Sequence, residues 1–290
     1  MCSGRVRVCL LVVEIGSLKM SSSENSSASS VPSVADILAI AAHRDDAEQT
    51  CGGTLLKMAA LGHRTAILDL TRGEMGTRGT AADREREAAE AARILKVSWR
   101  GALDIPDGRV ENTWENRLQV AGIIRVLRPR VVILPYWQGR HPDHYTCSTL
   151  GYEACFLAGL AKLDLSAVRA DSLSINVGPT DSWPPTTGHS PHRPFKIIYA
   201  TLYFDIRPTF VVDISEHFQA RFEALMAYKS QYSDQQAGAG LFPKHAEIRT
   251  RLETMARFYG LLAGVTYAEP FLQKEVGLAD DLTAIPVASI

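Results

Sequence analysis

The 290-residue chain has few cysteines and no C-x-x-C pair. It also lacks a long apolar run and carries almost no net charge. Each shortage closes off a class of protein. The five thiols, Cys2, Cys9, Cys51, Cys147 and Cys155, are odd in number and scattered. They do not read as a disulfide framework, so a reducing, cytoplasmic setting is expected. With 31 Lys and Arg against 32 Asp and Glu, the formal charge is -1. No basic field marks a nucleic-acid partner, and no charged tail marks a membrane surface. Residues 8–15 are apolar, but they include Glu14 and are far too short to cross a bilayer. No stable membrane insertion is therefore expected.

What is present is ordinary for a globular chain, with 46% hydrophobic and 22% charged residues. Residues 21–30 are nearly all Ser, Asn and Ala, with one Glu. That stretch has too little apolar surface to offset the entropy of ordering it. Residues 1–32 are thus expected to be a disordered leader, with Met20 as a possible true start. Residues 33–275 are expected to form one domain and residues 276–290 a C-terminal tail. Short β-branched runs at residues 35–42, 64–70, 131–135, 196–203 and 209–213 read as strands. Residues 83–96, with Asp83 at the N-cap, and residues 112–127, 214–231 and 245–262 read as helices. Alternating strand and helix predicts an α/β domain with a mostly parallel sheet and helices on both faces. Residues 171–194, dense in Ser, Pro, Gly and Thr, read as a long loop.

Two clusters fall just after predicted strands, where open parallel sheets bind ligands. The first is His43-Arg44-Asp45-Asp46-Ala47-Glu48; the second is Arg140-His141-Pro142-Asp143-His144. Zinc accepts imidazole nitrogen and carboxylate oxygen, and a catalytic zinc takes three protein ligands. His43, Asp46 and His144 would supply such a set and leave Asp45 free beside it. A carboxylate there could take a proton from water and hand it to a departing amine. His141 could stabilise a tetrahedral oxyanion, with Asp143 orienting it through the other ring nitrogen. Either cluster alone could be an ordinary turn, since Asp bonds readily to its own backbone there. Two of them at strand ends favour metal.

These residues resemble the zinc deacetylases of the LmbE or GlcNAc-phosphatidylinositol de-N-acetylase type, and most nearly the bacillithiol-pathway deacetylases. The first family motif, His-Pro/Ala-Asp-Asp-x-Glu, matches His43, Asp45, Asp46 and Glu48; the second, His-Pro-Asp-His, matches His141 to His144. Asp69-Leu70-Thr71-Arg72-Gly73-Glu74, Gly76-Thr77-Arg78-Gly79, Ile105-Pro106-Asp107-Gly108 and Val265-Thr266-Tyr267-Ala268-Glu269-Pro270-Phe271 are further likenesses, and the match spans roughly residues 35–273. The resemblance implies a Rossmann-like fold, with zinc held by His43, Asp46 and His144. It implies Asp45 as general base and His141 as the residue that polarises the transition state. It implies hydrolysis of the acetamide of an N-acetylglucosaminide by a homo-oligomer, with N-acetylglucosaminyl-malate in first place, a glycolipid head group or an antibiotic as the alternative, and another divalent metal as the alternative to zinc. Arg84 and Arg140 match arginines that bind substrate, the second facing malate carboxylates; as forks for an anion both make physical sense.

Arg44 stands where the family has Pro or Ala, and it is expected to point outward, since an inward guanidinium would weaken Asp45 as a base. Glu48 reads as a supporting residue rather than a ligand, and Cys147 as packing. Tyr199 or Tyr203 could line the site. A rival from another class is a Rossmann-like sugar- or nucleotide-binding module with structural carboxylates. Against it, Gly73, Gly76 and Gly79 do not fit the phosphate-cradling G-x-G-x-x-G spacing.

Overall fold

The computed structural model describes residues 35–168, 190–201, 205–233 and 244–285. The expected leader, most of the 171–194 loop, Tyr203 and the end of the C-terminal tail lie outside these. Seven strands form one sheet: β1 (Ile37–Ala41), β2 (Thr65–Asp69), β3 (Trp99–Ala102), β4 (Val131–Pro135), β5 (Lys196–Ala200), β6 (Phe210–Asp213) and β7 (Ala268–Gln273). Their order is β3-β2-β1-β4-β5-β7-β6. The first five pair in parallel, whereas β7 runs antiparallel to both β5 and β6. The α/β reading holds.

The helices are α1 (Asp46–Thr50), α2 (Gly52–Ala60), α3 (Ala81–Ile94), α4 (Trp114–Leu127), α5 (Pro142–Ala158), α6 (Phe218–Met226), α7 (Lys229–Tyr232) and α8 (His245–Leu261). The sequence Ile-Leu-Ala-Ile-Ala of β1 has no polar residue because both of its faces are covered. Leu38 and Ile40 join a core with Val120, Ile124, Leu150 and Ala154 of α4 and α5. Ile37, Ala39 and Ala41 face the other way, onto Leu55, Ala88, Ala91 and Ala224 of α2, α3 and α6. Gly151 lets α5 approach the sheet closely: a Cβ there would lie 2.4 Å from a methyl carbon of Leu134.

Two expectations about helices are corrected. The N-cap of α3 is Thr80, whose hydroxyl accepts the Asp83 amide, while Asp83 sits at N3 and returns the bond to the Thr80 amide. Asp83 is thus the far half of a capping box, whose Thr at the front lies three residues earlier. The single helix expected over 214–231 is two, since Ala227 and Tyr228 leave α6 and redirect the chain into α7.

In this strand order β1 is followed by β2 on one side and flanked by β4 on the other. The chain therefore leaves β1 and β4 in opposite directions and opens a crevice beyond their carboxyl ends. Both reactive clusters lie on those two exits.

Candidate active site

His43 is the second residue after β1, and the short helix α1 starts at Asp46. The His43 amide donates to Asp46 Oδ2 at 2.9 Å, so the turn itself aims this carboxylate. From the other side of the crevice, His141 caps α5 and Pro142 occupies its first turn. That cap delivers His144 to the same point. His43 Nδ1 lies 3.2 Å from His144 Nε2 and 3.3 Å from Asp46 Oδ2, and His144 Nε2 lies 3.2 Å from the same oxygen. Three donors at the corners of a tetrahedron with arms of about 2.0–2.1 Å would stand about 3.3–3.4 Å apart. The triangle fits a small cation of zinc's size and ligand preference. His141 is the fourth donor within reach: ring nitrogens of His43, His141 and His144 lie within 4.8 Å of one another.

The electrostatics point the same way. Burial lowers the pKa of His43, but Asp46, Asp107 and Asp143 around it outweigh that and raise it to about 12. Burial would raise the pKa of Asp46, yet His144 and His43 hold it well below the usual carboxylate range. The carboxylates of Asp46, Asp107 and Asp143 thus favour positive charge around His43, and a cation there would have to displace the ring proton from the donor nitrogen.

Asp45 stays off the triangle. Its Oδ1 accepts from Arg84 at 3.2 Å and its Oδ2 from the Tyr232 hydroxyl. Arg84 is buried, and its guanidinium lies against Gly73, where a Cβ would meet its Cζ at 3.4 Å; Gly73 has φ +71°, a left-handed value suited to glycine. The structure thus puts Arg84 on the candidate base. Arg140 is exposed, between Gly139 and the cavity-lining His141. Tyr199 is fully buried, edge-on to Trp137, away from the crevice.

Two details differ from expectation. Arg44 points inward, with 1% exposure, and its guanidinium meets the Ala81 carbonyl and Glu85. The first turn of α3 offers it partners, so Asp45 is not one of them. Asp143 does not hold His141 through its carboxylate. Instead the Asp143 amide donates to His141 Nδ1 at 3.3 Å, while Asp143 Oδ2 lies 3.2 Å from His43 Nε2. The amides of Gly108 and Val110 fix that carboxylate, at 2.8 and 3.2 Å. With Nδ1 of His141 accepting, the neutral ring carries its proton on Nε2. Loss of solvent, then the charges of His43 and His144, lower the His141 pKa and favour that neutral form.

A buried ionic knot supports the loop from below. Arg100 donates to both oxygens of Asp69, at 2.8 and 3.0 Å, to Glu48 Oε1 at 2.6 Å and to the Arg44 carbonyl at 2.6 Å. The Tyr228 hydroxyl donates to the same carbonyl. Glu269 caps the start of α2 through the amides of Gly53 and Thr54, at 2.9 and 2.7 Å, and pairs with Arg221 at 3.0 Å. Glu48 and Glu269 therefore brace the site and contribute no ligand. Sequence reasoning gave no role to Tyr232 or Arg100, and it noted Asp107 only within a motif. A cavity of about 900 Å³ opens over the cluster, lined by His43, Asp45, Arg84, His141 and Tyr232 and, across from them, by Ile248, Leu252 and Met255 of α8. Among the described residues no helix is long and apolar enough to cross a membrane.

The family model for the GlcNAc-PI de-N-acetylases, PIG-L, matches residues 38–155, which span both clusters. The diacetylchitobiose deacetylase of Thermococcus kodakarensis is 31% identical over 249 residues, covering 81% of this chain and 82% of that protein. Among solved structures, the protein TT1542 of Thermus thermophilus is 36% identical with a TM-score of 0.68, covering 88% of this chain and 97% of that one. The N,N'-diacetylchitobiose deacetylase of Pyrococcus horikoshii is 25% identical with a TM-score of 0.64, covering 82% and 83%. With likeness running through four-fifths or more of both partners in these pairs and a family model across both clusters, this chain belongs to the GlcNAc-PI de-N-acetylase (PIG-L) family.

Proposed function

We propose that the protein is a metal-dependent deacetylase, using zinc, that hydrolyses the acetamide of an N-acetylglucosaminide to acetate and a free amine. The observation that carries this reading is the 3.2–3.3 Å triangle of His43, His144 and Asp46, with the Asp45 carboxylate beside it, off the triangle and held by Arg84 and Tyr232. Those three residues would hold the cation. When bound, it would polarise the acetamide carbonyl and make water more acidic.

The chain's own groups do the rest. Asp45 takes a proton from the attacking water and returns it to the sugar nitrogen as the carbon–nitrogen bond breaks. Arg84 and Tyr232 hold both oxygens of Asp45, so the base is aimed before substrate arrives. His141 donates from Nε2 to the oxygen that becomes negative in the tetrahedral intermediate.

The aglycone is the finer part of the reading. The motif likeness carries N-acetylglucosaminyl-malate, with the exposed Arg140 as a carboxylate partner at the site's edge. The relatives named for diacetylchitobiose favour a second sugar there instead. A cytoplasmic setting also belongs to this reading, supported by the free and buried Cys51, Cys147 and Cys155.

The test is acetate release from both compounds by the zinc-loaded protein, repeated with Asp45→Asn and Arg140→Ala. Asp45→Asn is expected to keep its zinc and lose on the order of 100-fold or more in turnover. Undiminished turnover would remove Asp45 as the base. Loss in Arg140→Ala confined to the malate compound supports malate, whereas equal turnover there removes it.

A further inference from the structure

Asp107 lies in the loop after β3, and one of its oxygens faces the metal cluster while the other faces away. Its Oδ1 stands 3.2 Å from His43 Nε2. Its Oδ2 accepts the Met75 amide at 3.0 Å. Its own amide donates to Glu74 Oε1 at 2.7 Å. Asp107 is thus bonded twice to the 73–79 loop and once to a residue of the triangle. That loop begins and ends at glycines with positive φ, Gly73 and Gly79, and Gly73, Met75, Gly76 and Thr77 all line the cavity.

His43 Nδ1 is the atom in the triangle, so its Nε2 carries the proton and needs an acceptor. Asp143 supplies one at 3.2 Å and Asp107 supplies a second at the same distance. Asp143 is anchored to the amides of Gly108 and Val110. Asp107 is anchored to the wall of the sugar-sized cavity. A carboxylate on the far nitrogen of a ligand histidine fixes the ring's orientation and makes the near nitrogen a better donor.

We infer that Asp107 is a positioning residue that ties the cavity-lining 73–79 loop to the metal ligand His43, so that cation binding and the order of that loop are coupled. The inference rests on the reading of His43 as a ligand. By linkage, whatever steadies one end steadies the other. A cation on His43 Nδ1 fixes the ring, the ring fixes Asp107, and Asp107 fixes the Met75 amide.

The experiment measures zinc affinity by competition with a chromophoric chelator, together with hydrogen exchange at the Met75 amide with and without zinc. The proteins are the full-length wild type and its Asp107→Asn, His43→Ala and Asp104→Asn variants. Asn keeps the size of Asp107 but offers one acceptor oxygen where two are needed, so the fold is retained and one of the two ties is lost. Asp107→Asn is expected to bind zinc about tenfold more weakly, at the low end of the range for such outer partners because Asp143 remains. Zinc is expected to slow exchange at Met75 in the wild type and to leave it unchanged in Asp107→Asn. Asp104→Asn, an exposed neighbour paired with Arg72, is expected to match the wild type in both readouts. If His43→Ala loses zinc while Asp107→Asn binds it within twofold of wild type, the positioning role is overturned and the metal site stands. If His43→Ala binds zinc normally, the ligand reading falls and takes the inference with it. Zinc-independent exchange at Met75 in the wild type would overturn the coupling.

Discussion

Replacing Arg100 by Met tests how the site is held up. The side chain is fully buried and satisfies Asp69 and Glu48, both fully buried themselves, as well as the Arg44 carbonyl. Removing one partner of a buried charge group strands the others, at a cost of about 3–5 kcal/mol. The two stranded acids do not weigh equally. Burial already pushes Glu48 up to about 7 against the pull of Arg100, and losing Arg100 raises it further, so near pH 6 it holds a proton and escapes much of the penalty, while protonating it at pH 8 costs more. The expected loss is therefore about 3 kcal/mol at pH 6 and larger at pH 8. In urea, with a slope of about 1–3 kcal/mol per molar, the midpoint of the metal-free protein should fall by about 1 M or more. Zinc affinity should fall too, because Arg100 and Tyr228 both fix the carbonyl between His43 and Asp45. Adding Glu48→Gln and Asp69→Asn to Arg100→Met should recover much of the stability by removing the stranded charge. A midpoint shift below about 0.3 M at both pH values, with the slope unchanged, would refute the knot as a support.

Further expectations concern single groups. Glu48 has a folded pKa above its unfolded one, so between about pH 4.5 and 7 the native state holds the extra proton and Glu48's contribution to stability falls as pH rises. Glu48→Gln should therefore gain on the wild type across that window in metal-free urea titrations; a constant difference would contradict the shift. Tyr232→Phe removes one of two bonds to Asp45, and a bond to a charged group of about 1.5 kcal/mol predicts a fall in kcat of about tenfold with zinc content unchanged. Steady-state kinetics reads it, and an effect on KM alone would argue against an aiming role. Gly151→Ala should be destabilising although Ala is the better helix former by about 1 kcal/mol, because the new methyl group meets Leu134 and overpacking costs about 1–3 kcal/mol. Thermal unfolding checks the sign.

The parts of this molecule readable from sequence are those whose cause is local. β1, β2 and β4 announce themselves because strands buried on both faces are mostly apolar, β2 carrying polar residues only at its two ends. His43, Asp46 and His144 stood out because metal chemistry restricts residue types and strand ends restrict their places. β7 did not, because Glu269 and Pro270 interrupt its apolar pattern; Glu269 is there to cap α2, more than 200 residues away in sequence. β3 was hidden in the same way by Arg100, whose partners lie on β2 and α1. The inward turn of Arg44 and the attachment of Asp143 to His43 depend on α3 and on the loop after β3. Neither is encoded in the motif that contains the residue. Side chains that act across the fold carry no periodicity, and their roles appear only once the partners are brought together.

Two imidazoles and one carboxylate, from loops about 100 residues apart, are expected to converge on a single cation. Zinc-edge X-ray absorption on the loaded protein addresses it directly. One zinc per chain is expected, four-coordinate, with nitrogen and oxygen ligands at about 2.0–2.1 Å and scattering from two imidazoles that drops to one in His144→Ala. Three imidazoles in the wild type, or a spectrum unaltered by His144→Ala, would contradict it.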